Sequence, residues 1–188
     1  MIVAVDGVVA DESVRRDTTL EKLAELKPVF DPEGTTTAGN APGVNDGASC
    51  VIVTSEEFAR RRGLEVLATI LSQAYVADDF AYLARTPARA GGRALDKAGK
   101  AMADVKRVEI NEAFAAIAIV VARELGLPED IVNVEGGAIA HGHPIGATGA
   151  ILTTRLICSM RRDGLKRGLV TLCIGGGQGI ALALETVS

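Results

Sequence analysis

Aromatic residues are nearly missing from this 188-residue chain: Phe, Tyr and Trp together make up 3%, and Trp does not occur. Because 48% of the residues are still hydrophobic, the core has to be built from Ala, Val, Ile and Leu. Side chains of this kind suit closely stacked α/β layers, and the length allows one substantial core. Cysteine is also scarce. Cys50, Cys158 and Cys173 are far apart, odd in number and without metal-type spacing. That argues against a disulfide framework and for a reducing, cytoplasmic setting. No long block of one charge occurs, and the net charge is −4, so there is no basic face of the kind that nucleic acid requires. An anionic substrate would have to meet local Arg or Lys groups. No apolar run approaches the ~20 residues that cross a bilayer. The opening MIVAVDGVVADE lacks the basic lead of a signal peptide.

The pattern that remains is mixed. Residues 2–9 alternate weakly and predict a strand, and residues 18–27 predict a helix ended by Pro28. Residues 31–47, dense in Gly, Pro, Thr and Asn, predict an extended loop, and a loop of that length is usually functional. GASCVIVTS at 47–55 predicts a buried strand, residues 56–63 a short helix, and residues 64–76 a long strand. Residues 77–90 read as irregular and 93–99 as helical. RVEI at 107–110 is a short strand that delivers Asn111 at its end. Residues 112–126 predict a helix, with Phe114, Ile117, Val121 and Leu125 at helical spacing, and 146–164 a second. LVTLCI at 169–174 and GIALALE at 179–185 predict two antiparallel strands around a tight Gly turn.

Three motifs follow one another in the second half: NEAFA at 111–115, GGAIAHGHPIGATGA at 136–150 and CIGGGQG at 173–179. Asn111 is placed either to cap the following helix or to donate its amide to a developing oxyanion. Glu112 reads as a first-turn helix charge or as a group that orients the site. His143, held between Gly142 and Pro144 before a helix, is either a structural loop residue or a proton carrier whose pKa the helix N-terminus lowers. Cys173 is either core or an acid/base thiol, and the glycines after it let a ligand reach the backbone N–H groups. Cys50 and Cys158 read as packing residues. A metal site made of His141, His143 and Cys173 would lack a fourth ligand. The Gly run is no dinucleotide fingerprint, because a strand follows it.

As an ordered set, NEAFA, GGAIAxGHPIGATGA and CIGGGxG resemble the thiolase family, the acetyl-CoA acetyltransferases and 3-ketoacyl-CoA thiolases. RRDTTLEKLAELKPVFDPEGTTTAGNAPGVNDGAS looks like that family's middle segment. The resemblance covers essentially the whole chain, but roughly the second half of a family member. It implies an α/β thiolase-like half: a mixed, mostly parallel sheet of about five strands with helices on both faces. Residues 1–33 would be a remnant of the loop-domain region and 34–188 the C-terminal domain. The implied activity is acyl transfer on coenzyme A thioesters in fatty acid and lipid metabolism, with no cofactor and no resident metal. The acyl-carrying Cys would belong to the first half, since neither Cys50 nor Cys158 sits in its motif. His143 would activate that thiol and, with a water held by Asn111, stabilise the thioester enolate. Cys173 would exchange the substrate α-proton, and the Gly175 N–H would donate to the tetrahedral intermediate. Ala41, Leu83 and Phe114 would contact the acyl-CoA. The chain departs from the family pattern in Pro42 where many members have Ser, in LARTPARA at 83–90 where a Gly-rich loop is usual, and in His141 where Leu is common. The resemblance further implies inactivity alone, a second chain or longer parent that carries the nucleophile, and a homo-oligomer. Either the helix at 112–126 or that at 146–162 would face the partner. The alternative in another class is a non-catalytic CoA-binding or assembly subunit.

Overall fold

A computed structural model describes residues 3–11 and 13–187. The elements follow in the order α1 (Leu20–Ala24), α2 (Glu56–Arg62), β1 (Ala68–Ala77), α3 (Thr86–Ala98), β2 (Arg107–Ile110), α4 (Ala115–Leu125), α5 (Ala138–His141), α6 (Thr148–Arg162), β3 (Arg167–Ile174) and β4 (Gln178–Thr186). One sheet runs β1-β4-β3-β2. Its β1–β4 and β3–β4 pairs are antiparallel, and β2–β3 is parallel. The fold is thus the expected mixed α/β sheet with helices on both faces. The expectation of about five, mostly parallel strands is corrected to four strands with one parallel pair among the described residues. A parallel pair needs a long crossover; the α4–α6 stretch between β2 and β3 supplies the one that joins neighbouring strands, whereas the α3 crossover links β1 to β2, which are not neighbours.

Two apolar layers flank the sheet. Leu95 and Ala94 of α3, Ile117 and Val121 of α4, and Val108, Ile110, Leu169 and Ala181 of the sheet form one. Leu152, Leu156 and Met160 of α6 with Val170 and Leu184 form the other. Residues on β2 therefore alternate between the layers. Val108 and Ile110 enter the first, while Arg107, Glu109 and Asn111 reach partners just after, in and just before α6 respectively. No helix among the described residues is long and apolar enough to cross a membrane.

Several local expectations change. GASCVIVTS at 47–55 forms neither helix nor strand and joins no sheet, and Ile52 and Val53 are 86% and 71% exposed, so it is not a buried strand. An apolar run has a strand's pattern whether or not a neighbour covers it; here no sheet neighbour lies among the described residues. Residues 2–9 give only a Val5–Val8 bridge, and Ile2 lies outside the described residues. Helix α1 is shorter than expected and buries nothing, and β1 starts at Ala68. Residues 77–90 are not irregular: a 3-10 turn over Phe80–Arg85 leads into α3 at Thr86. Pro87 suits a first helical turn. The small Ala88, Ala90 and Ala94 let α3 lie close on the sheet, which outweighs the helix cost of Gly91 and Gly92. Cys50 and Cys158 are both exposed, so neither is a packing residue.

Candidate active site

Strands β2 and β3 are parallel, so they end at the same sheet edge, where ligands gather in open α/β folds. Ile110 pairs with Thr171, and the Asn111 N–H continues the ladder by donating to the Thr171 carbonyl at 3.0 Å. Asn111 is therefore a strand end and not a helix cap; α4 starts at Ala115, with Phe114 in the cap position. The Asn111 amide is 1% exposed, and its Nδ2 lies 3.3 Å from Nε2 of His143, 32 residues along the chain.

The surroundings of His143 hold its ring in place. Thr148 Oγ1 donates to the Pro144 carbonyl at 3.0 Å and lies 2.7 Å from His143 Nδ1. That hydroxyl therefore anchors Nδ1, while the Asn111 amide faces Nε2. Partial burial lowers the His143 pKa below its ordinary value, which keeps the ring neutral near pH 7. The expected direction holds, and its cause is burial. The loop at 31–47 enters here too: Asn45 Oδ1 accepts from the His143 N–H at 3.1 Å, and Val44 bridges to His143. A shallow groove of about 370 Å³ between residues 45–49 and Pro144–Ala147 opens beside this contact.

Glu112 is not a first-turn helix charge. Its Oε1 accepts from Asn133 Nδ2 at 2.8 Å and its Oε2 from the Ile139 N–H at 3.1 Å. Its carboxylate fills the space where Gly137 would carry a side chain; a Cβ there would lie 2.0 Å from the carboxyl carbon. Asn133 was not singled out in the sequence. Its Oδ1 accepts from the Ile110 N–H at 2.8 Å and its Nδ2 donates to the Ile110 carbonyl at 2.9 Å, so one side chain imitates a neighbouring strand. A lone Asn ahead of a Gly pair was the available signal. Asn45 and Thr148 were missed likewise; both lie inside segments already marked as a functional loop and a motif.

Cys173 lies near the end of β3, at the same sheet edge, but by alternation it packs against the apolar layer on the α3–α4 side. No side-chain hydrogen bond joins it to Asn111 or His143 among the described residues. Burial raises its thiol pKa, so at neutral pH it is a thiol. Gly175 is exposed in the following turn, and Gln178 Nε2 reaches its carbonyl at 3.3 Å. Gly177, at φ +73°, passes so close to the Asp78 carbonyl that only glycine fits. Phe114 makes an edge contact with Phe30, their centroids 6.4 Å apart. Ala41 and Leu83 are half-buried, in the loop and in the 3-10 turn before α3. His141 ends the short α5, not an extended segment, and its Nε2 lies 2.6 Å from the Glu135 carbonyl. Among the described residues no group of three His, Cys, Asp or Glu side chains is arranged to hold a metal ion.

Comparison with known proteins agrees with this architecture. The chain is 50% identical over 175 residues to the acetyl-CoA acetyltransferase of Rhizobium meliloti, covering 93% of this chain and 44% of that protein. It is 52% identical over 176 residues to that of Paracoccus denitrificans, covering 94% and 45%. The crystal structure of the Bacillus anthracis acetyl-CoA acetyltransferase superposes with a TM-score of 0.90 at 45% identity, over 94% of this chain and 45% of that one. Human mitochondrial 3-ketoacyl-CoA thiolase in complex with CoA superposes with a TM-score of 0.88 at 41% identity, over 96% and 46%. The chain thus spans just under half the length of the relatives it matches. The family model described as Thiolase, N-terminal domain matches residues 3–57. With Thiolase, C-terminal domain matching residues 64–186, the chain belongs to the thiolase family.

Proposed function

We propose that this chain supplies the His, Asn and Cys part of an acyl-CoA C-acyltransferase site, for Claisen condensation or thiolytic cleavage of 3-ketoacyl-CoA. The carrying observation is the contact between the Asn111 amide at the end of a strand and Nε2 of His143, whose other ring nitrogen Thr148 anchors; Nε2 is the proton-accepting nitrogen in this reading. A nucleophilic thiol next to Nε2 gives up its proton to it and attacks the thioester carbonyl. His143, once it holds the thiol proton, and a water held by Asn111 stabilise the oxygen where enolate charge develops. Cys173, a protonated thiol by virtue of burial, is suited to protonate the acetyl-CoA carbanion that leaves in cleavage. In condensation it takes the α-proton as thiolate. The Gly175 N–H stabilises the tetrahedral intermediate, and Ala41, Leu83 and Phe114 border the acyl-CoA.

The nucleophile lies outside these 188 residues, on a second chain or in a longer parent, so these residues alone are inactive. The relatives' names support the substrate class: acetyl-CoA acetyltransferase and 3-ketoacyl-CoA thiolase, the latter also in complex with CoA. The exposed apolar segment at 51–53 supports a covering partner. The assembly is a cytoplasmic oligomer, and its loop-domain part ends near residue 33. The test is acetoacetyl-CoA cleavage by this chain, alone and mixed with a polypeptide carrying the family's nucleophilic half. Activity is expected only in the mixture. There, Cys173→Ala should still form the acyl-enzyme but lose carbon–carbon bond chemistry. A mixture that binds CoA yet never acylates would favour the non-catalytic reading.

A further inference from the structure

One buried acid takes no part in the chemistry above. Glu109 is 1% exposed at the centre of β2, and neither carboxylate oxygen has a hydrogen-bond partner among the described residues. The nearest cation is Arg155 of α6, with Nη2 at 3.8 Å, too long for a hydrogen bond. That same nitrogen donates to the Gly136 carbonyl at 2.6 Å. Arg155 therefore stands between two chain segments. One is β2, where Glu109 lies two residues before Asn111. The other starts at Gly136 and ends at His143.

We propose that Glu109 and Arg155 are a positioning pair that sets the separation of the Asn111 amide and the His143 ring, acting through the Gly136 carbonyl without touching substrate. This deepens the function proposed above and depends on it only for the catalytic consequence. The attraction of Glu109 holds the guanidinium toward β2, and the guanidinium holds Gly136. Loss of the negative charge frees Arg155 to follow solvent or Glu135, which is already engaged by Arg162. The groups facing Glu109 are Arg155 from α6, Arg107 from its own strand, Glu135 from the loop before the Gly pair, and Glu112 beyond the strand end. Burial raises its pKa to about 7, against the opposing pull of Arg155. The pair is therefore half-discharged near neutrality, and the His143 environment should respond at that pH independently of its own titration.

The chain has two histidines, so the ring signals of the full 188-residue protein can be assigned by a single His141→Gln variant. The experiment follows the His143 ring nitrogens by NMR from pH 5 to 9. The wild type should show a second inflection near pH 7, besides the ring's own at lower pH. Glu109→Gln, of the same shape but uncharged, should abolish it. Arg155→Lys, which keeps charge and donor, should restore it relative to Arg155→Met. In the complemented enzyme Glu109→Gln should lower kcat about 10- to 100-fold with KM little changed. A His143 pH response identical in wild type and Glu109→Gln overturns the pair, whether or not the mixture is active. A mixture that is inactive while the inflection still depends on Glu109 overturns the acyltransferase reading instead and leaves the pair standing.

Discussion

Thr148 Oγ1 stands 2.7 Å from Nδ1 of His143 and 3.0 Å from the Pro144 carbonyl, one turn back along the chain. Directing its proton to that carbonyl makes the hydroxyl an acceptor toward the ring, which would place the ring's hydrogen on the nitrogen that faces away from Asn111. Thr148→Val keeps the shape and removes the acceptor. The proton should then redistribute toward Nε2, and the Asn111 contact should weaken. Nitrogen chemical shifts of His143 would show the rise of the second tautomer. Activity of the complemented enzyme should fall about a hundredfold. An unchanged ring spectrum would mean that some other group selects the tautomer.

Asn133 carries three side-chain hydrogen bonds from a left-handed backbone position, φ 43°. Asn133→Gly keeps the backbone freedom and removes the bonds. It should destabilise the chain by about 2–3 kcal/mol in urea unfolding. Asn133→Ala should cost about 1 kcal/mol more, because a Cβ is disfavoured at that φ. Equal stability of the two variants would show that the backbone conformation relaxes.

Two glycines of different surroundings should respond oppositely to alanine. Gly92 lies inside α3 with open space where a Cβ would go, so Gly92→Ala should raise stability by about 0.5–1 kcal/mol. At Gly137 a Cβ would overlap the Glu112 carboxylate. Gly137→Ala should push Glu112 off the Ile139 N–H, lower the melting temperature and broaden the His143 signals. Melting curves of the two variants check both signs.

The charge of Glu109 gives stability a pH slope. Its pKa rises from the ordinary 4.5 to about 7 on folding, so between those values the folded chain binds more protons than the unfolded one. Stability should therefore fall as pH rises from about 4.5 to 7, by on the order of 3 kcal/mol from this group. Glu109→Gln should flatten that fall. Below pH 4 the slope reverses. Asp163, held down to about 2 by hydrogen bonds from Arg162 and Arg107, loses its stabilising charge there. Urea midpoints measured from pH 3 to 8 in both proteins test the two limbs.

Much of the local structure was legible along the chain. The spacing of Ile117, Val121 and Leu125 marks α4, and the alternation around a Gly turn marks the β3–β4 hairpin. These patterns are legible because burial on one face leaves a period in the sequence. The start of α3 was hidden, since Pro87 reads as a loop residue, and Gly91 and Gly92 as poor helix formers, until the sheet beneath them is known. The run at 51–53 misled for the converse reason: apolar residues state that a cover is needed and not where it is.

Residue order alone was enough to place Asn111 at the end of a strand, Cys173 at the entry to a glycine turn and His143 on a proline-bounded turn. Chain folding was needed to put Asn111 against His143, to enlist Asn45, Thr148 and Asn133 around them, and to leave Glu109 without a hydrogen bond beside Arg155. The difference is one of range. Periodicity and turn chemistry act over a few residues and are written locally, whereas a hydrogen bond between groups 32 or 98 positions apart depends on how two layers pack on one sheet edge.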